Sequence, residues 1–305
     1  MSQRKKLVPV LVLCFIFFLS GPLAAGSTER HEWSDMAAVV QAADSLAAKS
    51  GGASQVLLVF DADNTLLRLT SSLGSDQWFI WQSGLLAKAP EQGPSPYLGA
   101  CDFQELLKVQ GILFFLGSMV PPEPSSPGIV QKLQAGGFPS MVLTSRGADY
   151  RDMTMRELRR NGYEFKAGAP KLRSDAAFDP GANASYEDGV FMTSGQDKGR
   201  MLALLLASVR EEFKAIVFVD DSVKHVDRVL NMPGREKYDI CAVRYGREDN
   251  VVKDFLCNRD GVQDTVKAQW DRLKAALLDV WGRTGCSQPI LLRDCAKPGA
   301  PAVIN

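Results

Sequence analysis

Histidine is nearly missing from this 305-residue chain. The two present, His31 and His225, have no Cys or His partner at metal-ligand spacing, which argues against a histidine-built metal centre and places both at the surface. Net charge is missing as well, because 35 Lys and Arg balance 35 Asp and Glu without a long run of either sign. Broad electrostatic capture of nucleic acid or of an anionic membrane is therefore not expected. No internal repeat is visible. A small or compact substrate is the expectation that remains.

The N-terminus departs from this even composition. Arg4, Lys5 and Lys6 precede the apolar stretch Leu7 to Leu19, and Ala24-Ala25-Gly26 follows, the order of a secretory signal peptide cleaved near residue 25. The stretch falls short of the roughly 20 residues that span a bilayer. Export to the periplasm or beyond the cell is predicted, with no stable membrane insertion after cleavage; an uncleaved N-terminal anchor is the alternative. Leu13, bulky where a lipoprotein signal needs a small residue, argues against lipidation at Cys14. Beyond the leader lie Cys101, Cys241, Cys257, Cys286 and Cys295, an odd number, of which Cys286 and Cys295 could close a short loop.

Apolar spacing predicts an opening helix from Glu32 to Lys49, ended by Gly51-Gly52. Residues 56–60, Val-Leu-Leu-Val-Phe, read as a fully buried strand. The segment up to about Pro124 has helical spacings and many aromatics, with Trp78 to Trp81 read first as packing residues. A proline-rich run at 121–127 breaks the chain. Beyond it come a helix near 128–135, a strand at 138–144, a helix at 149–161 and a loop-rich segment at 168–189. A short strand at 190–193, a helix at 197–209 and strands at 215–219 and 239–243 follow, then a helix at 262–281 and a loose tail from 297. Strands alternating with helices predict an α/β fold with a doubly wound, mostly parallel sheet.

Two of these strands end in paired acids. Asp61 and Asp63 follow Phe60, and Asp220 and Asp221 follow Val219, so both pairs are expected at the carboxyl edge of the sheet, where α/β folds bind ligands. Val56-Leu57-Leu58-Val59-Phe60-Asp61-Ala62-Asp63-Asn64-Thr65 resembles the first motif of the haloacid-dehalogenase-like (HAD) phosphohydrolases, Asp-x-Asp-x-Thr after an apolar strand. The resemblance covers roughly residues 55 to 245 and points towards secreted acid phosphatases and related secreted members.

That resemblance implies a division of labour. Asp61 would be the nucleophile, ionised at neutral pH without a base, and Asp63 the acid and base for the leaving oxygen and for water. A donor for an alkoxide leaving group favours phosphate esters over dehalogenation. Thr144, at the end of Met141-Val142-Leu143-Thr144, matches the second motif as a hydroxyl for phosphoryl oxygens, with Ser145 as fallback and Arg146 near the site. Lys198 matches the third-motif lysine, with Arg200 as its competitor. Asp61, Asp220 and the main-chain carbonyl of Asp63 would supply oxygen ligands to Mg²⁺, with Asp221 either a further ligand or a support behind them, and Asp227 would orient part of the loop.

The implied organisation is a leader at 1–25, an N-terminal helical segment at 26–54, a HAD-like core at 55–67 and 125–285, a helical cap insertion at 68–124 and a tail at 286–305. The predicted activity is a Mg²⁺-dependent phosphomonoesterase acting on a small-molecule phosphate ester through an aspartyl-phosphate, with the cap choosing the substrate. Alternatives are a catalytically silent binding protein on the same fold, which the costly acid pairs disfavour, and a phosphotransferase. A phosphonate-cleaving enzyme would need a cap lysine, for which Lys88 is available.

Overall fold

The computed structural model describes residues 26–281 except 182. In chain order the strands are β1 (Thr28–Trp33), β2 (Val56–Phe60), β3 (Arg68–Leu69), β4 (Met119–Val120), β5 (Ser140–Thr144), β6 (Ser185–Glu187), β7 (Val190–Met192), β8 (Ala215–Asp220) and β9 (Asp239–Tyr245). The helices are α1 (Ala37–Ser50), α2 (Asp76–Gln92), α3 (Phe103–Leu116), α4 (Ser126–Ala135), α5 (Arg151–Arg160), α6 (Lys198–Ser208), α7 (Val223–Leu230), α8 (Asp249–Leu256) and α9 (Val262–Trp281).

Seven strands form one sheet in the order β1-β9-β8-β2-β5-β7-β6, parallel throughout except for β6 against β7. The fold is α/β, with a mostly parallel sheet and flanking helices. Every residue of β2 is buried because both sheet faces are covered. Val56, Leu58 and Phe60 pack with Val39 and Leu46 of α1, Val130 of α4 and Leu158 of α5, while Leu57 and Val59 pack with Leu202 of α6 and Val226 of α7. That two-sided coverage is why the central strands read as unbroken apolar runs.

The N-terminal segment differs from the predicted helix. Residues 28–33 form β1, an edge strand parallel to β9, and α1 begins only at Ala37. The sequence Thr-Glu-Arg-His-Glu-Trp is polar because this edge is mostly solvated, so apolar alternation, the usual strand signal, is absent. The expected β-strand at 138–144 is present as β5, and the loop-rich stretch before β7 contains only the short β6.

Between β2 and β5, the chain leaves and returns through the antiparallel pair β3–β4, with Arg68 opposite Val120. Between those strands, α2 and α3 build a third apolar cluster in which Trp78, Leu106 and Val109 meet Phe255 of α8 and Val266 and Trp270 of α9. The C-terminal helices thus pack on the helical insertion, although residues 125–285 are assigned to the core on sequence alone. Trp78 is buried in this cluster, as its packing role requires. Cys241 is a buried and Cys257 an exposed free thiol, Cys101 is disulfide-bonded, and the pairing expected of Cys286 and Cys295 lies outside the described residues, as does the leader.

Candidate active site

β2 and β8 are hydrogen-bonded neighbours at the centre of the sheet, with Phe60 in register with Val219. Their ends are tied further by the Asp61 amide, which donates to the Val219 carbonyl at 2.8 Å. Two segments some 160 positions apart therefore deliver their acids together. Asp61, Asp220 and Asp221 each present a carboxylate oxygen within 4.8 Å of the others.

Lys198 enters this cluster from the first turn of α6. Its ammonium donates to Asp61 Oδ1 at 2.5 Å and to Asp220 Oδ2 at 2.7 Å, while Asp220 Oδ1 accepts the Ser222 amide at 2.8 Å. The approach depends on a glycine: a Cβ on Gly199 would lie 2.1 Å from the Arg228 carbonyl oxygen, so only a bare backbone lets α6 start this close to α7. Asp197 caps α6 by accepting the Arg200 amide and pairs with Arg228 at 2.9 Å. Arg200 is exposed, which leaves Lys198 as the cation of the cluster.

Charge is poorly balanced here. Burial, with the carboxylates of Asp220 and Asp63 adding to it, raises Asp61 from 3.8 to about 7 against the opposing pull of Lys198. Burial and the charges of Asp76 and Asp61 raise Asp221 well above the usual carboxylate range. Burial by itself would lower Lys198, but Asp220 and Asp61 outweigh it and hold the ammonium charged. A cluster of hard oxygen donors with one ammonium among three acids fits a divalent cation such as Mg²⁺.

Asp63 faces differently from Asp61. Its two oxygens accept from Arg146 Nη2 at 2.7 Å and Nε at 2.9 Å, a bidentate pair, so its carboxylate stands apart from the three-acid cluster. Arg146 in turn donates to Thr154 Oγ1 at 2.8 Å and lies 4.2 Å above the Phe114 ring. These contacts hold Asp63 in place, and Arg146 also lines the adjoining cavity, near the site as the sequence resemblance implies. Thr144 is fully buried at the end of β5, where its Oγ1 accepts the Arg146 amide at 3.2 Å. Ser145, one residue further, lines the adjoining cavity with its Oγ 3.4 Å from His225 Nε2.

Several participants were not legible in the chain. Asp76, at the start of α2, lines the same cavity, and burial with the charges of Asp63 and Asp61 raises it to about 7. Asn64, in the left-handed conformation at φ 56°, donates to Asp221 at 3.2 Å and approaches Asp76 at 3.5 Å. An Asn directly after paired acids was the available signal, since Asn tolerates this turn geometry. His225 is half-buried beside Ser145, not at the surface as predicted, and burial together with Lys198 lowers it to about 4, which keeps the imidazole neutral. Asp227 pairs with Arg30 of β1 at 2.8 Å instead of ordering the acid loop, and Lys88 is exposed on α2, outside the cavity lining.

Fold and site together define an α/β protein with an acidic, lysine-bridged centre at the carboxyl edge of its parallel sheet. The chain belongs to the family described as protein of unknown function DUF2608, which matches residues 29–280. A Chlamydia pneumoniae protein named as a candidate outer membrane protein is 23% identical over 184 residues, 60% of this chain, and the match spans 65% of that relative's length. A crystal structure of cytosolic 5'-nucleotidase IIIB bound to cytidine aligns with 80% of this chain and 95% of its own at 11% identity and a TM-score of 0.29. Among the described residues, no helix is long and apolar enough to cross a membrane.

Proposed function

We propose that this protein is an exported, Mg²⁺-dependent phosphomonoesterase of the HAD-like type. The convergence of Asp61, Asp220 and Asp221 on one point, bridged by a buried lysine, is the observation that carries the reading. Four buried or half-buried ionisable groups in contact are costly unless a cation and an anionic ligand use them.

In this reading Asp61 attacks phosphorus through Oδ2, because Oδ1 is held by Lys198. The Asp61 O–P bond forms as the ester P–O bond breaks, and Asp63 passes a proton to the departing alkoxide. Asp63 then takes a proton from the water that cleaves the aspartyl-phosphate, which regenerates the Asp61 carboxylate and the protonated Asp63 carboxyl. Since Arg146 occupies both Asp63 oxygens, one of those hydrogen bonds must yield for the proton to move. Lys198 offsets charge on the nucleophile and the phosphoryl oxygens, and Ser145 and Thr144 offer hydroxyls to the same oxygens. Mg²⁺ held by Asp61, Asp220 and Asp221, with the main-chain carbonyl of Asp63, would neutralise phosphoryl charge and orient the group for in-line displacement.

Export is supported by the leader-like N-terminus, by the disulfide at Cys101 and by the name of the chlamydial relative. The direct test is hydrolysis of p-nitrophenyl phosphate by the purified chain with Mg²⁺ and with chelator. Activity that requires Mg²⁺ and drops at least a thousandfold in Asp61→Asn is the expected result. Full activity in Asp61→Asn, or none under any divalent cation in a folded protein, would overturn the assignment.

A further inference from the structure

Beside the acid centre lies a cavity of about 1080 Å³ between α3 and the strand-end loops. It lies at or above the top of the roughly 300–1,000 Å³ range of small-molecule sites, far more room than a phosphoryl group needs. At its inner end are Asp63, Asp76, Ser145 and Arg146; its outer wall is built by Phe103, Leu107, Ile112, Phe115 and Leu116 of α3, with Met153 of α5 opposite.

Most polar groups of this outer part are already used or lie in water, and the Gln110 side-chain oxygen is the buried one left without a partner. The Tyr150 hydroxyl donates to the Leu107 carbonyl at 2.7 Å, and the Gln110 amide to the Gly74 carbonyl at 2.6 Å. Asn183 donates to Asp149 at 3.0 Å, and Gln104 and Lys108 sit exposed at the rim. A sugar or nucleoside placed here could donate one hydroxyl to Gln110, but most of its hydroxyls would lose hydration without a buried partner, which costs roughly 1–3 kcal/mol per unpaired group. Apolar surface is what the wall offers. Phe103 and Phe115 are 50% and 64% exposed, a large aromatic exposure beside a cavity.

We propose that this cavity takes the apolar tail of an amphiphilic phosphate monoester, a phosphorylated long-chain alcohol whose head group reaches the acid centre. The proposal deepens the phosphatase reading and rests on it for the head group. A tail along α3 explains why the wall is apolar and the inner end polar. It also explains why the aromatic rings at the rim are left uncovered.

The test is calorimetric binding of n-alkyl phosphates from ethyl to decyl, at monomeric concentrations with Mg²⁺, to the full chain and to Asp61→Asn. Cytidine monophosphate and inorganic phosphate serve as comparison probes. Affinity should rise about fourfold per added methylene between butyl and decyl phosphate. Decyl phosphate should bind at least thirtyfold more tightly than either comparison probe, and Phe115→Ser should weaken decyl phosphate while leaving ethyl phosphate unchanged. Chain-length-independent binding, or cytidine monophosphate binding as tightly as decyl phosphate, would overturn the ligand class. Hydrolysis of an aryl phosphate with a flat chain-length series would overturn the tail site alone. Chain-length-dependent binding with no hydrolysis of any ester would support the tail site and remove the phosphatase reading.

Discussion

Replacing Asp76 with asparagine should stabilise the cation-free protein. Asp76 opens α2 and faces the acid centre, where burial and the charges of Asp63 and Asp61 raise it from 3.8 to about 7. A difference of roughly three units corresponds to about 4 kcal/mol of unfavourable free energy once the group is ionised, at 1.36 kcal/mol per unit. Burial is the leading cause and also disfavours an amide, while a carboxylate in the first helical turn gains about 0.3–1 kcal/mol from the helix dipole. Residual solvent screening at this half-buried position reduces the figure again. A gain of about 1–2 kcal/mol remains for Asp76→Asn at pH 8, a rise in Tm of roughly 2–8 °C.

The pH dependence has a definite sign. Between 3.8 and about 7 the native carboxyl holds more protons than the unfolded one, so this group lowers stability as pH rises through that window. The advantage of the variant should therefore be complete above that window and shrink as pH falls towards 4. Thermal unfolding with a chelator at pH 8 and pH 5 measures both. Adding Mg²⁺ at pH 8 should narrow the gap, because a cation beside Asp76 removes the repulsion that the amide relieves. A variant no more stable than the parent at pH 8, or an advantage that grows towards acid pH, would refute the electrostatic account of this site.

Asp63→Asn should slow an alkyl phosphate by about 10²–10⁴-fold but p-nitrophenyl phosphate far less, since p-nitrophenolate leaves without a proton; steady-state kinetics on the two esters would show equal losses if Asp63 is not the acid. Lys198→Met leaves Asp61 and Asp220 buried without their cation, so urea unfolding at neutral pH should show a loss of about 3–5 kcal/mol, much of it recovered at pH 5 as Asp61 protonates. Trp270→Ala should cost about 3–5 kcal/mol, because the ring is 3% exposed in the cluster that joins α9 to the helical insertion; a change under 1 kcal/mol would show that the insertion packs without α9.

The local features of the acid strands could be read from the chain alone. A strand covered on both faces needs apolar residues at every position, so 56–60 and 215–219 stand out as unbroken runs, and the acids that follow must fall at the sheet edge. Lys198, at the start of α6, and Ser145, just past the end of β5, were nameable for the same reason, because the boundaries of those elements are set locally. Edge strand β1 was not, since an exposed edge has no reason to be apolar.

Distances across the chain belonged to the tertiary structure. Only the pairing of β2 with β8 makes Asp61 and Asp220 neighbours, and only the close start of α6 against α7 brings Lys198 between them. The Arg146–Asp63 pair, the return of Asp76 to the acids through Asn64, and the packing of α8 and α9 on the insertion likewise depend on how elements close over one another. Periodicity and residue type act within a few turns of chain and so determine what each strand and helix is. Which charges share one low-dielectric space is decided by packing, and that packing turns four separate acids into a single electrostatic unit.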